Sequence, residues 1–276
     1  MQLGLDSYSF HLRLGKHADF TPQEPADLEW FIGKAAELGF DGVQLDPAHI
    51  ESTDESHLTR IRDVLQRYRL YVEFGSAGVD PIRLIGDLRA AQFVGAPVLR
   101  TFLGYDPRLP KAERERRLAQ AAANLRQVAP YTEQFGVKIA IENHVDCTIK
   151  ELKELIWMVG AEGVGVCLDT TNNLFLGEDP VYAAKELAPY TFATHLKDCE
   201  VEPGLKPQIV KPLALGQGNV PLADIIAIVR EGSGLERFTI EVPTGVGEAR
   251  ESELLTKEEE RISQSLSYAR DVLGIR

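Results

Sequence analysis

Eight short runs rich in β-forming residues alternate with longer helical patterns, and this order constrains the fold more than any other feature of the chain. Such an alternation predicts a parallel sheet, because a crossover helix must carry the chain back to the start of each new parallel strand. The predicted strands span residues 3–7, 42–46, 70–74, 98–102, 138–142, 165–169, 192–197 and 238–242.

Eight strand–helix units in 276 residues predict an α/β protein, a single (β/α)8 TIM barrel that forms one domain over residues 1–276. A doubly wound open sheet is the alternative. A dinucleotide-binding sheet of that kind needs a G-x-G-x-x-G turn after its first strand, whereas this chain reads LDSYSFHLRLG there. The segment 199–220 contains several proline and glycine residues and is predicted to form a loop over the barrel mouth.

Capping signals predict where several helices begin. Thr148 with Glu151, and Thr256 with Glu259, have the spacing of an N-terminal capping box, so a helix is expected to start after each threonine. Asp179, which precedes a proline, predicts a further N-cap.

The overall composition disfavours several classes of partner. A net charge of -12 repels a phosphate backbone, and the richest basic run, residues 111–117, is interleaved with glutamates, so no nucleic-acid partner is expected. No stretch approaches the ~18 apolar residues of a membrane span, and no secretory signal is recognisable at the start, which predicts a cytoplasmic protein without membrane contact. The three cysteines lack C-x-x-C spacing and are expected to be reduced. The sequence leaves a homo-oligomer open.

Strand alternation places acidic groups and an imidazole inside one end of the barrel. In the fifth, sixth and eighth predicted strands the apolar residues share one face and suit the helix layer, so Glu142, Asp169 and Glu241 must face inward. His195 can face inward from the seventh strand. Because barrel active sites gather at the C-terminal ends of strands, all four side chains are expected at one mouth.

These four residues predict one bound divalent metal ion. A single inward carboxylate could belong to a core salt bridge, but three carboxylates at one mouth are hard to keep ionised without a cation. The mostly oxygen donor set favours Mn²⁺, with Mg²⁺ and Co²⁺ close behind and Zn²⁺ as a further candidate. Cys167 shares the inward face of its strand but lies roughly 6 to 7 Å deeper, which predicts a core role.

Four short motifs at these strand ends resemble those of the xylose-isomerase-like barrels that include sugar phosphate isomerases and epimerases: IENH at 141–144, GVCLDTTN at 165–172, THLKD at 194–198 and IEVP at 240–243. The group also contains tagatose and psicose 3-epimerases, inosose dehydratase, hydroxypyruvate isomerase and 3-oxo-isoapionate decarboxylases, with endonuclease IV as a distant relative. The resemblance implies that Glu142, Asp169, His195 and Glu241 bind the metal. It also implies that Glu142 and Glu241 are the catalytic acid/base pair. Epimerases commonly place a substrate-contacting histidine after the aspartate, where this chain has TTN.

Three other histidines near the predicted mouth are candidates for substrate binding. His144 lies two residues beyond the fifth strand, and His11 and His49 follow the first and second strands. For His11 and His49 the alternative is a loop histidine that is hydrogen-bonded to backbone.

Two cations, Arg100 and Lys197, are also predicted at the mouth, where they could bind a phosphate or carboxylate of the substrate. Alternatively, Glu73 could neutralise Arg100 in a structural ion pair, and Asp198 or Glu142 could pair with Lys197.

The first functional hypothesis is therefore a metal-dependent isomerase or epimerase that acts on a keto sugar or sugar phosphate through a metal-stabilised enediolate. The alternative is a metal-dependent decarboxylase or dehydratase of a 3-oxo sugar acid, which the extra cations and the missing histidine favour. DNA repair of the endonuclease IV type is disfavoured by the negative net charge and by the absence of a histidine at the end of the third strand.

Overall fold

The computed structural model describes residues 1–201, 210–246 and 250–276. Eight parallel strands close into a barrel in the order β1-β10-β7-β6-β5-β4-β3-β2, which confirms the predicted (β/α)8 fold. The barrel strands are β1 (Gln2–Asp6), β2 (Gly42–Leu45), β3 (Tyr71–Gly75), β4 (Val98–Thr101), β5 (Lys138–Glu142), β6 (Val164–Asp169), β7 (Thr191–Leu196) and β10 (Arg237–Ile240).

Helices surround this barrel and alternate with its strands. Those in the described part of the chain are α1 (Leu28–Leu38), α2 (Glu55–Tyr68), α3 (Pro81–Val94), α4 (Lys111–Phe135), α5 (Ile149–Val159), α6 (Pro180–Leu187), α7 (Leu222–Ser233) and α8 (Glu251–Asp271). None of the helices in these described ranges combines the length and apolarity of a membrane span. The cytoplasmic location expected from the sequence stays a prediction.

Helix starts were predicted with mixed success. Thr148 and Glu151 form the expected capping box at the start of α5, and Asp179 caps α6. The box expected at Thr256 is wrong, because α8 begins five residues earlier at Glu251 and the Thr256 hydroxyl donates to a carbonyl inside the helix. Leu254 and Leu255 are buried in that first turn, and their packing extends the helix beyond the local signal.

The segment 199–220 is partly regular where it is described: residues 199–201 and 210–213 form strands, and residues 214–220 are irregular. β8 (Asp198–Val201) pairs antiparallel with β9 (Val210–Leu213), and the two strands form a small separate sheet. The Asp198 carboxylate accepts backbone N–H bonds from Gly216 and Gly218 and holds the returning chain. Residues 202–209, the tip of the predicted loop, lie outside the described residues.

The barrel interior below the mouth is filled by an apolar cluster on one side and by an aromatic ring on the other. Cys167 packs with Val98, Ala140 and Ala193 in a small buried apolar cluster, which confirms its predicted core role. On the opposite side the Tyr71 ring fills the space, and a Cβ on Gly42 would lie 2.3 Å from that ring, so glycine is required there. All three cysteines are free and buried, as expected.

Candidate metal centre

Four side chains meet at the C-terminal mouth of the barrel. Glu142 and Asp169 end β5 and β6, His195 lies near the end of β7, and Glu241 directly follows β10. All four are buried, and one donor atom of each lies within 4.8 Å of the others. Donor atoms placed 2.0–2.2 Å from one ion are at most about 4.4 Å apart, so this spacing is close to that of a metal site.

Asp169 is fixed by the turn that follows it. Its Oδ1 atom accepts the backbone N–H groups of Thr171 at 2.8 Å and Asn172 at 2.9 Å. An aspartate that bonds the backbone two residues ahead forms an Asx turn, which explains why a short polar residue ends β6. The Oδ2 atom is left facing the other three residues.

Glu142 is held by groups from two other loops and strands. Its Oε1 atom accepts the Asn172 side-chain N–H at 2.8 Å, and its Oε2 atom lies 3.3 Å from Arg100 Nε. Burial alone would raise the pKa of Glu142, but the charges of Arg100 and His195 hold it well below its ordinary value. No role for Asn172 was predicted from the sequence, although its position three residues after Asp169 was a usable signal.

Lys197 stands between two of the carboxylates. Its Nζ atom lies 2.7 Å from Glu241 Oε1 and 2.9 Å from Asp169 Oδ2, in place of the expected pairing with Asp198 or Glu142. Burial alone would raise the pKa of Glu241, but the charges of Lys197 and His195 lower it to about 2. The carboxylate is therefore ionised at neutral pH.

His195 turns its two ring nitrogens to different partners. Its Nε2 atom lies 2.6 Å from Gln44 Oε1 on β2, and its Nδ1 atom lies 2.8 Å from Glu241 Oε2. Burial lowers the pKa of His195, but the neighbouring carboxylates of Glu142 and Glu241 raise it well above its ordinary value. The Nδ1 side thus faces an environment that attracts a cation.

The four residues fit a divalent metal ion. Within the described part of the chain, one buried atom of each residue makes no hydrogen bond of good geometry: Glu142 Oε2, Asp169 Oδ2, His195 Nδ1 and Glu241 Oε2. Buried polar atoms normally find partners, and four such atoms that converge on one point fit a bound cation better than they fit one another. A cation at their centre would satisfy all four.

Arg100 lies on the other side of the mouth, enclosed by carboxylates. Its Nη2 atom is 3.0 Å from Asp46 Oδ2 and 3.9 Å from Asp6 Oδ2. The predicted pair with Glu73 is wrong, because the Glu73 carboxylate accepts a 2.7 Å bond from Gln44 instead. Arg100 is therefore part of a buried charge cluster as well as a wall of the mouth.

A cavity of about 600 Å³ opens beside the quartet of Glu142, Asp169, His195 and Glu241. Of the four quartet residues, Glu142 and Glu241 line this cavity, and its lining also contains Arg100, Lys197 and His144 as predicted for substrate binding. The His144 ring stacks on Phe102 with ring centres 5.0 Å apart. The volume lies in the usual range for small-ligand sites.

Two predicted substrate residues, His11 and His49, lie beneath the wall of the cavity. His11 Nδ1 is 2.8 Å from the Tyr8 carbonyl, its ring stacks on Tyr8, and His49 Nδ1 is 2.8 Å from Ser7 Oγ. The contact of His11 matches the alternative of a loop histidine that is hydrogen-bonded to backbone, whereas the partner of His49 is a side chain. Tyr8, which both rings support, lines the cavity instead and received no role from the sequence.

The fold is a TIM barrel, and the C-terminal mouth of the barrel holds four buried residues of the kinds that bind metal ions. The model of the family described as Xylose isomerase-like TIM barrel matches residues 32–271. The chain belongs to this family, which confirms the resemblance drawn from the strand-end motifs.

Two relatives and one solved structure illustrate the family's range. The chain is 24% identical over 199 residues to the 3-oxo-isoapionate decarboxylase of Pectobacterium atrosepticum, covering 72% of this chain and 69% of the relative. It is 30% identical over 212 residues to the 2-epi-5-epi-valiolone 7-phosphate 2-epimerase of an Actinoplanes species, covering 68% and 73%. The crystal structure of the IOLI protein with a bound zinc atom superposes with a TM-score of 0.77 at 16% identity, covering 99% of this chain and 98% of that one.

Proposed function

We propose that the protein is a divalent-metal-dependent isomerase or epimerase of a keto sugar or sugar phosphate. The observation that carries the proposal is that two of the four quartet residues reach the cavity and the other two do not. Glu142 and Glu241 line the substrate-sized cavity, whereas Asp169 and His195 do not belong to its lining. Two carboxylates that reach the same cavity from β5 and from the end of β10 are the groups needed to take a proton from carbon and to return one.

When bound, a divalent ion would stabilise the negative charge that develops on a ketone oxygen and its neighbouring hydroxyl, and Mn²⁺ is our first choice for this oxygen-rich set. The residues of the chain do the rest. One of the two glutamates removes the C–H proton next to the ketone, and the electron pair of that bond moves toward the carbonyl oxygen. The other glutamate delivers a proton. Delivery to the opposite face of the same carbon inverts it, and delivery to the next carbon isomerises the sugar.

Polar groups around the two glutamates suit a carbohydrate substrate. Tyr8, Asp46 and His144 line the cavity and offer donors and acceptors to hydroxyl groups. The relative that is named as a 2-epi-5-epi-valiolone 7-phosphate 2-epimerase supports proton transfer at a carbon centre as the chemistry.

A deuterium-exchange experiment tests the proposal. The metal-loaded protein is incubated in deuterated water with a panel of ketoses, ketose phosphates and 3-oxo sugars, and label at carbon is read by NMR. We expect incorporation into one substrate class, and its loss in Glu142→Gln and Glu241→Gln. Absence of exchange from every compound, with metal shown to be bound, would contradict the proposal.

Decarboxylation of a 3-oxo sugar acid is the second candidate, and the position of Lys197 favours it. The ammonium group lines the cavity between Asp169 and Glu241, where it can contact a substrate carboxylate. In such a reaction the bond from carbon to carboxylate breaks, carbon dioxide leaves, and the electron pair stays on the carbon next to the ketone until a proton from the site replaces it. The similarity to a 3-oxo-isoapionate decarboxylase supports this reading.

Carbon dioxide release separates the two candidates. If the protein is a decarboxylase, 3-oxo sugar acids should yield carbon dioxide, Lys197→Met should abolish the release, and Lys197→Arg should retain part of it because the positive charge remains. Exchange of label without carbon dioxide would leave the isomerase or epimerase proposal standing alone.

A further inference from the structure

Gln44 connects the two sides of the barrel mouth although it is not itself a metal-type ligand. It lies on β2 and is completely buried. Its Oε1 atom is 2.6 Å from His195 Nε2 and 3.3 Å from Arg100 Nε, and its Nε2 atom donates to Glu73 Oε2 at 2.7 Å. All hydrogen-bonding groups in this chain of contacts come from buried side chains.

Arg100 and Glu73 together fix which way the Gln44 amide points. The Arg100 Nε–H group can only donate, so the Gln44 atom that faces it must be the oxygen. The Glu73 carboxylate oxygen accepts the bond from the amide nitrogen on the opposite side. A flipped amide would set two donors against each other at Arg100, which makes the observed orientation the stable one.

The orientation of the amide dictates the tautomer of His195. Because the Gln44 oxygen is an acceptor, the His195 nitrogen that faces it at 2.6 Å must carry the proton. The Asp6 Oδ2 atom, another acceptor on this side, is 3.6 Å from the same nitrogen and too far for a good hydrogen bond. In the neutral ring that a metal ligand requires, this leaves the Nδ1 lone pair directed toward the quartet.

We infer that Gln44, oriented by Arg100 and Glu73, is a positioning residue that presents the Nδ1 lone pair of His195 to the metal. The inference rests on the proposed metal site. It adds a hydrogen bond by which Gln44, on β2, holds His195, on β7, from across the barrel. Outer partners that hold a metal-bound histidine typically contribute about 10- to 100-fold to metal affinity.

Metal titration of matched variants tests the inference. Zn²⁺ and Mn²⁺ affinities are measured by calorimetry for the whole protein and for Gln44→Leu, in which we expect a loss of about 10- to 100-fold. The double variant Gln44→Glu/Glu73→Gln keeps an acceptor toward His195 and a donor–acceptor pair between positions 44 and 73, and should restore affinity to within a few-fold of the original. Thr101→Val is the control, since it removes a buried hydrogen bond to the Gly78 carbonyl without touching a quartet residue.

A spectroscopic measurement separates positioning from loss of packing. Long-range proton–nitrogen NMR spectra of the Zn²⁺-loaded protein, assigned with a His195→Asn variant, should show the proton of His195 on Nε2. Gln44→Leu should change this signal and Thr101→Val should not.

Each result bears on a different claim. A proton on Nδ1, or an unchanged affinity in Gln44→Leu, would overturn the role of Gln44 while leaving the metal site intact. Failure of the unmodified protein to bind either metal would remove the metal site, and the role of Gln44 with it.

Discussion

The two halves of the barrel mouth use charge in opposite ways. The ligand half, formed by β5, β6, β7 and β10, supplies the quartet and leaves four acceptor atoms unsatisfied. The support half, formed by β1 to β4, supplies Asp6, Gln44, Asp46 and Arg100, whose groups mostly bond to one another. The difference indicates that the ligand half can receive a cation in addition to Lys197, whereas the support half is closed around Arg100.

The contrast has an energetic side. Three converging carboxylates, of which Lys197 contacts two, still repel one another, whereas a carboxylate cluster closed around a buried guanidinium holds its shape without a ligand. We therefore expect changes in the ligand half to affect metal binding and chemistry, and changes in the support half to affect folding first.

The largest expected effect is on chemistry in the ligand half. Glu142→Gln should keep the hydrogen bond from Asn172 and nearly the same side-chain volume. It removes a group that transfers protons, and such a loss typically lowers turnover by roughly 100- to 10,000-fold. Deuterium exchange into the substrate measures this loss, and circular dichroism should show an unchanged fold. Retention of full activity would mean that Glu142 is only structural.

In the support half, Arg100→Met should cost about 3 to 5 kcal/mol of unfolding free energy, because it leaves Asp6, Asp46 and Glu142 without their shared cation. Urea unfolding of the metal-free protein measures the change. Arg83→Met is the matched control, since this arginine lines the same cavity but its side chain is 53% exposed. Equal stability of the two variants would show that the buried charge of Arg100 does not stabilise the support half.

Asn172→Ala probes a support that lies within the ligand half. It removes the 2.8 Å bond to Glu142 Oε1, and loss of such an outer partner should weaken metal affinity by about 10- to 100-fold with little change in stability. Competition with a chromogenic chelator measures the affinity. A drop in stability without a change in affinity would show that the ligand half also depends on internal bonds for folding.

A pH-dependent effect is expected at Glu258, a buried residue of α8 that accepts the backbone N–H groups of Leu12 and Arg13 and so holds the loop after β1. Burial raises its pKa from 4.5 to about 8 despite those two bonds. The folded protein thus keeps a proton that the unfolded chain releases above 4.5. Its stabilising contribution is complete below that pH and is lost as the pH rises toward 8, by at most about 1.4 kcal/mol per pH unit.

Unfolding free energies measured across that pH interval test the assignment. Glu258→Gln cannot ionise and should flatten the profile relative to the unmodified protein. An identical slope in both proteins would show that Glu258 does not titrate in this range.

The ligand half was predicted from the sequence because its signal is local. Each quartet residue lies at or next to the end of a short strand, and alternation along that strand indicates which face it occupies. The same argument placed Cys167 below the site. The closed order of strands followed from eight repeated units without knowledge of any contact between them.

The support half was harder to predict because its contacts cross the barrel. Gln44 meets His195 from a strand 151 residues away, and Arg100 prefers Asp46 over the expected Glu73 because of how the strands are staggered. The start of α8 and the β8–β9 hairpin were missed for a related reason. Packing of Leu254 in one case and pairing between distant residues in the other outweighed the local pattern.

Binding of Mn²⁺ to the purified protein, followed by the loss of the free-ion signal in electron paramagnetic resonance, tests the central claim most directly. One ion should bind per chain, and Asp169→Ala should abolish tight binding while the barrel stays folded. A protein that binds no ion, or an Asp169→Ala variant that binds as tightly as the original, would contradict the account.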